Sequence, residues 1–197
     1  LGSGTLDPRP ETEILVDRAL DLFRAAPPRR FLDLGTGTGC IPITLLSKWP
    51  GSYAIAVDLS ESALNTARIN ARKHGVSERL GLVCGEWAGA LATGFDLILS
   101  NPPYIPSAEI KNLEEGVRNH DPILALDGGD DGLEAYKNIF SSLKWHLNRG
   151  GKALFEIGAG QSDDVVRLAG NHGLCVEAVR PDYAGIQRVV EISSGDK

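Results

Sequence analysis

Methionine is missing altogether from these 197 residues, and the chain begins at Leu1. A product translated from its own start codon ordinarily carries the initiator, so the sequence reads as a piece of a longer chain. Cysteine is scarce as well. Cys40, Cys84 and Cys175 are odd in number and far apart, which excludes both a disulfide framework and a Cys-x-x-Cys metal site. They read as the reduced thiols of a cytoplasmic protein. No apolar run nears the roughly 18 residues of a membrane span, and no basic-then-apolar leader opens the sequence. Positive charge is in deficit: 20 Lys and Arg against 26 Asp and Glu leave a net charge of −6. That balance argues against a surface built to neutralise many phosphates, and hence against nucleic acid as the main partner. His74, His120, His146 and His172 show no ligand spacing, so no metal is expected. Gly-x-Ser-x-Gly and Walker-type loops are absent, which removes the common hydrolases and NTPases. The acidic stretch from Gly128 to Gly132 lacks the other ligands of a calcium loop and reads as a flexible turn.

What remains is a chain 42% hydrophobic, long enough for one α/β domain with a substantial core. Its apolar residues alternate between two periods. Glu11 to Arg24 carries a helical stripe that stops before Pro27-Pro28, and helices are predicted again at Ile41 to Lys48, Ser60 to His74 and Leu133 to Leu147. Between them fall short apolar runs read as strands: Phe31 to Leu34, Tyr53 to Val57, Leu80 to Val83, Phe95 to Leu99 and Lys152 to Ile157. The last is preceded by a turn at Arg149-Gly150-Gly151. Leu174 to Val179 and Arg188 to Ile192 are joined by a short polar link, as suits an antiparallel closing pair. The expected fold is therefore Rossmann-like α/β, a mostly parallel seven-stranded sheet with an antiparallel last strand and helices on both faces. Residues 1–28 would form a leading segment and helix, and 29–197 the catalytic domain.

The chemistry is expected at the carboxyl ends of the strands. Asp33-Leu-Gly-Thr-Gly-Thr-Gly39 follows the first strand and opens a helix, and Gly35, Gly37 and Gly39, with Thr36 and Thr38 between them, let backbone approach a nucleotide-like cofactor. A dinucleotide site would favour G-x-G-x-x-G with a pyrophosphate at the helix N-terminus. The alternating pattern here favours S-adenosylmethionine instead. Asp58 ends the second strand roughly 20 residues on, where an acid meets both ribose hydroxyls; its competing role is to cap the next helix, which Ser60 would fill equally well. Glu86 and Trp87, after the third strand, are placed to accept from an adenine amino group and to cover its ring, unless Trp87 is simply a core residue. Ser100-Asn101-Pro102-Pro103-Tyr104 follows the fourth strand. Its prolines cannot continue a ladder and bring no N–H donors, so the loop presents acceptors. The Asn101 side-chain oxygen and the Pro102 carbonyl can take both hydrogens of an –NH₂ group, and Tyr104 can stack on a planar amide or base.

These motifs carry a resemblance. Pro8-Arg-Pro-Glu-Thr-Glu13, Asp33 to Gly39, Ala56-Val-Asp58, Asn101-Pro-Pro-Tyr-Ile105, Asp121-Pro122 with Ala125-Leu126, and Phe155-Glu-Ile-Gly158 occur together and in order over nearly the whole chain, which resembles the release-factor glutamine methyltransferases. The glycine loop and the Asn-Pro-Pro-Tyr loop are shared with other methyltransferases, whereas the Pro-Arg-Pro-Glu-Thr-Glu segment is the narrow signal. Asp121 stands where such enzymes more often carry Glu, and Glu86 where Asp is commoner; both keep the charge. The resemblance implies that S-adenosylmethionine contacts Gly35 to Gly39, Asp58, Trp87 and Asn101. It also implies that Asn101, Pro102, Pro103 and Tyr104 hold the glutamine of a Gly-Gly-Gln loop in a peptide-chain release factor, with S-adenosylhomocysteine as product. A small helical domain usually precedes the narrow segment in such enzymes, and here seven residues do.

Two other readings compete. The same loop would serve amino methylation of adenine in DNA or RNA, but that calls for a basic surface, and the only basic clusters are Arg29-Arg30 and Arg68 to Lys73. A domain that binds the cofactor merely as a scaffold would have no need of the intact loop at Asn101 to Tyr104.

Overall fold

The computed structural model describes residues 10–89, 91, 94–113 and 122–193. Pro8, Arg9, His120 and Asp121 lie outside the described residues. The chain runs α1 (Pro10–Leu22), β1 (Arg30–Leu34), α2 (Cys40–Lys48), β2 (Tyr53–Asp58), α3 (Glu61–Lys73), β3 (Leu80–Cys84) and β4 (Phe95–Ser100). It continues through a short α4 (Ser107–Ile110), then α5 (Glu134–His146), β5 (Leu147–Glu156), α6 (Ser162–Asn171), β6 (Cys175–Pro181) and β7 (Gln187–Ser193). The seven strands form one sheet in the order β3-β2-β1-β4-β5-β7-β6. Only β7 runs antiparallel to its neighbours, pairing Phe155 with Val190 on one side and Val179 with Val190 on the other. The expected fold class is thus the one observed.

Period-two alternation divides the core between the two faces of the sheet. Leu32, Ile98, Phe155 and Ile192 point to the layer made with α5 and α6, where Phe140 meets Phe155 edge to face at 5.0 Å. Such a ring pair adds about 1 kcal/mol beyond area burial. Phe31, Leu97, Leu99, Leu154 and Val189 point the other way, toward Leu15 and Ala19 of α1 and Ile41, Leu45 and Leu46 of α2. By the same alternation Glu156 and Glu191, both buried, face α1. An uncompensated buried charge would cost several kcal/mol, and each finds a partner on that helix. Arg18 donates from two nitrogens to the two carboxylate oxygens of Glu191, and Arg180 adds a third bond. Burial works to raise the Glu191 pKa, but these arginines outweigh it and hold the carboxyl below its ordinary range. Thr12 of α1 donates to Glu156 Oε2 at 3.0 Å.

Three local expectations need correction. Arg149-Gly150-Gly151 is not a turn ahead of a strand but part of β5, whose pairing with β4 shifts register between Phe95 and Leu97. Gly150, at φ 76°, absorbs that irregularity. Helix α6 was not anticipated: its buried residues are Val165 and Ala169, a single i,i+4 pair too short to register as a periodic stripe. The glycine-rich stretch before α5 is not loose either. A Cβ on Gly128 would lie 2.9 Å from the Pro103 carbonyl oxygen, and one on Gly132, at φ 73°, would lie 2.5 Å from that of Tyr104. This turn packs directly on the loop after β4.

Candidate functional site

At the carboxyl ends of β1, β2, β3 and β4 lies a cavity of about 580 Å³. Its floor is the glycine loop. The N–H groups of Gly35 and Thr36 both donate to the Val57 carbonyl, at 2.9 and 3.0 Å, and Gly37 N–H donates to Asp58 Oδ2 at 2.8 Å. Gly35, Gly37 and Gly39 all sit at positive φ, which glycine alone adopts without steric cost. A Cβ on Gly39 would come within 3.0 Å of Ala67, so the third glycine also lets α3 close on the loop. Asp58 uses its second oxygen to accept from Ser60 N–H at 2.9 Å. The cap of α3 is Ser60, whose hydroxyl accepts from Ala63 N–H at 3.2 Å. Asp58 is therefore not the helix cap; it ties the glycine loop to β2 and keeps lone pairs facing the cavity.

Glu86 and Trp87 line the opposite wall, Glu86 exposed and Trp87 half-buried. Trp87 takes φ 50°, an unusual conformation for a bulky residue, which turns its ring to within 3.9 Å of the position a Gly35 Cβ would occupy. Leu59, Ile123 and Leu124 form an apolar rim, all three more than half exposed. Their role at the mouth went unread in the sequence. So did that of Cys40, which lines the cavity and whose thiol burial pushes up to about 11, far from the reactive thiolate.

Asn101 and Pro103 reach the cavity wall. The Pro102 side chain is buried, and neither it nor Tyr104 is part of the lining. The Tyr104 ring packs half-buried against the α5 side of the core, and its carbonyl accepts from Gln161 Nε2 at 2.9 Å. Around them Ile105 N–H donates to Leu126, Gly128 N–H to Ile105, and Ser107 Oγ to Asp127 at 2.6 Å. The loop is clamped on both sides.

The Asn101 amide nitrogen donates to Thr12 Oγ1 at 3.0 Å. Three stretches far apart in the sequence therefore meet at one point: the segment holding Thr12, the Asn-Pro-Pro-Tyr loop, and the strand end holding Glu156. Neither Thr12 nor Glu156 stands out in the sequence as a site residue. The available signal was their place in the Pro-Arg-Pro-Glu-Thr-Glu and Phe-Glu-Ile-Gly segments.

Electrostatics define what the cavity accepts. Asp58, Glu86, Asp127 and Glu134 are on its wall, and no Lys, Arg or His is, among the described residues. Beneath the loop Asp33 is fully buried with no hydrogen-bond partner for either oxygen. Burial pushes its pKa up to about 7, with the Asp58 charge adding to the rise. The Thr36 hydroxyl is near enough to offset part of it without a well-formed bond. An anionic wall over an unsatisfied carboxyl repels a pyrophosphate and suits a ligand bringing hydroxyls, a flat ring and positive charge. S-adenosylmethionine, with its sulfonium and ammonium, is such a ligand. Among the described residues no cluster of His, Cys, Asp or Glu could hold a metal, and no helix is long and apolar enough to cross a membrane.

Comparison with known proteins agrees with this geometry. The family described as methyltransferase small domain matches residues 10–117. A release factor glutamine methyltransferase from Gloeobacter violaceus is 47% identical over 188 residues, 94% of this chain and 65% of its own length. One of the same name from Cereibacter sphaeroides is 48% identical over 186 residues, covering 94% and 66%. The chain thus spans a little under two thirds of these relatives. Among solved structures, a ribosomal protein L11 methylase from Lactobacillus delbrueckii subsp. bulgaricus superposes with a TM-score of 0.70 at 19% identity, over 94% of this chain and 79% of that one.

Proposed function

Because the chain belongs to the methyltransferase small domain family and, within it, to the release-factor glutamine methyltransferases, we propose that it transfers a methyl group from S-adenosylmethionine to the side-chain amide nitrogen of a glutamine in the Gly-Gly-Gln loop of a peptide-chain release factor. One observation carries the reading: the cavity wall is acidic, and Asn101 stands on it with its side-chain nitrogen committed to Thr12. Residues 29–197 supply the chemistry on this reading, and 1–28 lead into them.

Bound at this site, the cofactor supplies an electrophilic methyl group on a sulfonium. Gly35 to Gly39 would let backbone approach it, Asp58 would accept from its ribose hydroxyls, and Glu86 and Trp87 would take the amino edge and face of its adenine. An amide nitrogen is a poor nucleophile because its lone pair is delocalised into the carbonyl, so the protein's task is to position and polarise it. Asn101 Oδ1 and the Pro102 carbonyl accept the two amide hydrogens. So held, the amide nitrogen would be fixed in place and its hydrogens polarised for methyl transfer. Pro103 and Tyr104 shape the loop, Tyr104 from its packed position rather than by a ring laid open on the cavity wall. The surplus proton can leave to water afterward, and no dedicated base is required.

The test is transfer of labelled methyl from the cofactor to purified release factor, with DNA and RNA oligonucleotides as alternative acceptors. Label should appear on the Gly-Gly-Gln glutamine. Asn101→Ala should cut kcat by roughly 10²-fold, the size seen on losing a preorganised transition-state hydrogen bond, with cofactor affinity falling much less. Label in nucleic acid and none in release factor would refute the proposal.

A further inference from the structure

We infer that Thr12 and Glu156 are positioning residues that set which way the Asn101 amide faces, and so decide whether the site can hold a methyl-accepting amide at all. The inference rests on the function proposed above and concerns the same site.

A side-chain amide has two nearly isosteric orientations, one presenting oxygen to a given neighbour and the other nitrogen. Only the orientation with Oδ1 toward the cavity can accept from a substrate –NH₂; the flipped one would set donor against donor. The choice is made by the group the Asn101 nitrogen meets. Thr12, buried in the first turns of α1, has one hydroxyl proton, and it goes to Glu156 Oε2 at 3.0 Å. Its oxygen is then an acceptor, and the Asn101 nitrogen donates to it, also at 3.0 Å. Flipping the amide would put Asn101 Oδ1 against a Thr12 oxygen whose proton is already committed, a repulsive contact between two acceptors in a place where Thr12 and Glu156 are 7% and 1% exposed. Burial makes such an unsatisfied contact expensive, and water cannot easily relieve it. The directional chain runs from Asn101 to Thr12 to Glu156 Oε2, which accepts the Thr12 proton, and it leaves the Asn101 oxygen for the cavity. It also explains why a glutamate occupies a strand position where Leu154 and Val189 on the same face are apolar. Thr12 reaches the cavity wall beside Asn101 and Glu156 does not; the role assigned to both is to fix the Asn101 amide.

The experiment compares Thr12→Val, which keeps the shape and removes the hydroxyl, with Thr12→Ser, which restores it, each alone and combined with Asn101→Ala. Three readouts are taken: kcat and KM on release factor, cofactor affinity by calorimetry, and hydrogen exchange of the Asn101 side-chain amide by ¹⁵N NMR. Thr12→Val should lower kcat by about 10-fold to 10²-fold with KM and cofactor affinity within about 3-fold, and Thr12→Ser should stay near the parent. In the Asn101→Ala background Thr12→Val should cost nothing further, because the residue it acts through is gone. The Asn101 amide protons should exchange about 10-fold faster in Thr12→Val than in the parent, with or without substrate. Should Thr12→Val fail to fold, Thr12→Ala, which removes the hydroxyl without adding bulk, is held to the same expectations. A folded variant lacking the hydroxyl that turns over within about 2-fold of the parent, or an equal loss with and without Asn101, overturns the inference. A parent that methylates no release factor would sink the functional reading, and the exchange measurement would still decide whether Thr12 anchors the amide.

Discussion

Replacing Asp33 by asparagine should make the free protein more stable, and by an amount that depends on pH. The carboxyl is fully buried without a hydrogen bond, and its pKa rises from 3.8 to about 7. In the unfolded chain it ionises near 4. Between these limits the folded state keeps a proton that the unfolded state has released, so stability falls as pH rises through the window, by up to about 1.4 kcal/mol per unit. Below about pH 4 both states are protonated and nothing is lost; above about 7 both are ionised and the penalty levels off. A shift of roughly three units corresponds to on the order of 4 kcal/mol across the window. An asparagine side chain cannot ionise and escapes this. Urea unfolding of the parent and Asp33→Asn from about pH 4 to 9 should show the stability difference growing in favour of the variant up to about pH 7 and then staying flat. S-adenosylmethionine should reverse the ranking, since a cationic ligand favours the ionised carboxyl. Parent affinity should therefore rise with pH through about 7 and the variant's should not. A stability difference of the same size at every pH would refute the argument, and pH-independent affinity in both proteins would separate Asp33 from the cofactor.

Asp58→Ala should weaken cofactor binding by on the order of 1 to 3 kcal/mol through the loss of a charge-assisted acceptor pair, and Asp58→Asn by less, as read by calorimetry. Unchanged affinity in folded Asp58→Ala would leave the residue only its bonds to Gly37 and Ser60. Gly132→Ala would place a methyl group 2.5 Å from the Tyr104 carbonyl at a positive φ. It should cost about 2 to 5 kcal/mol in urea unfolding, from left-handed strain plus overpacking, and should slow methyl transfer by displacing the loop.

The sheet could be read from the chain because five of its strands are short apolar runs closed by glycine or polar turns, and the glycine loop and Asn101 could be read because local sequence alone dictates their backbone. The start of β5 was misread since Gly150 and Gly151 look like a turn whether or not the strand carries on through a bulge. Helix α6 was missed since two buried residues make no stripe. The segments holding Thr12 and Glu156 could be read as motifs but not as a relay, since the two residues lie 144 positions apart and only the packing of α1 across the sheet brings them together. For Tyr104 the motif sets the place in the loop and the tertiary structure sets the ring. Its place in the motif suggested an open stacking ring, whereas the packing of the α5 side decides where the ring goes.

The fastening of α1 to the far side of the sheet bears on how the molecule is made. Arg18 reaches a partner 173 positions later, and β7, which carries that partner and pairs with β6, completes the sheet only when it docks on the edge of β5. During synthesis the emerging chain therefore passes through a stage with β5 as an open edge, its main-chain groups on that side unpaired. Long-range closure of this kind is slow, and an unprotected apolar edge invites pairing with other chains. A ribosome that stalls before Gln187 would release a product with an intact glycine loop and an intact Asn-Pro-Pro-Tyr loop that nevertheless cannot finish its sheet, and that clumps rather than works.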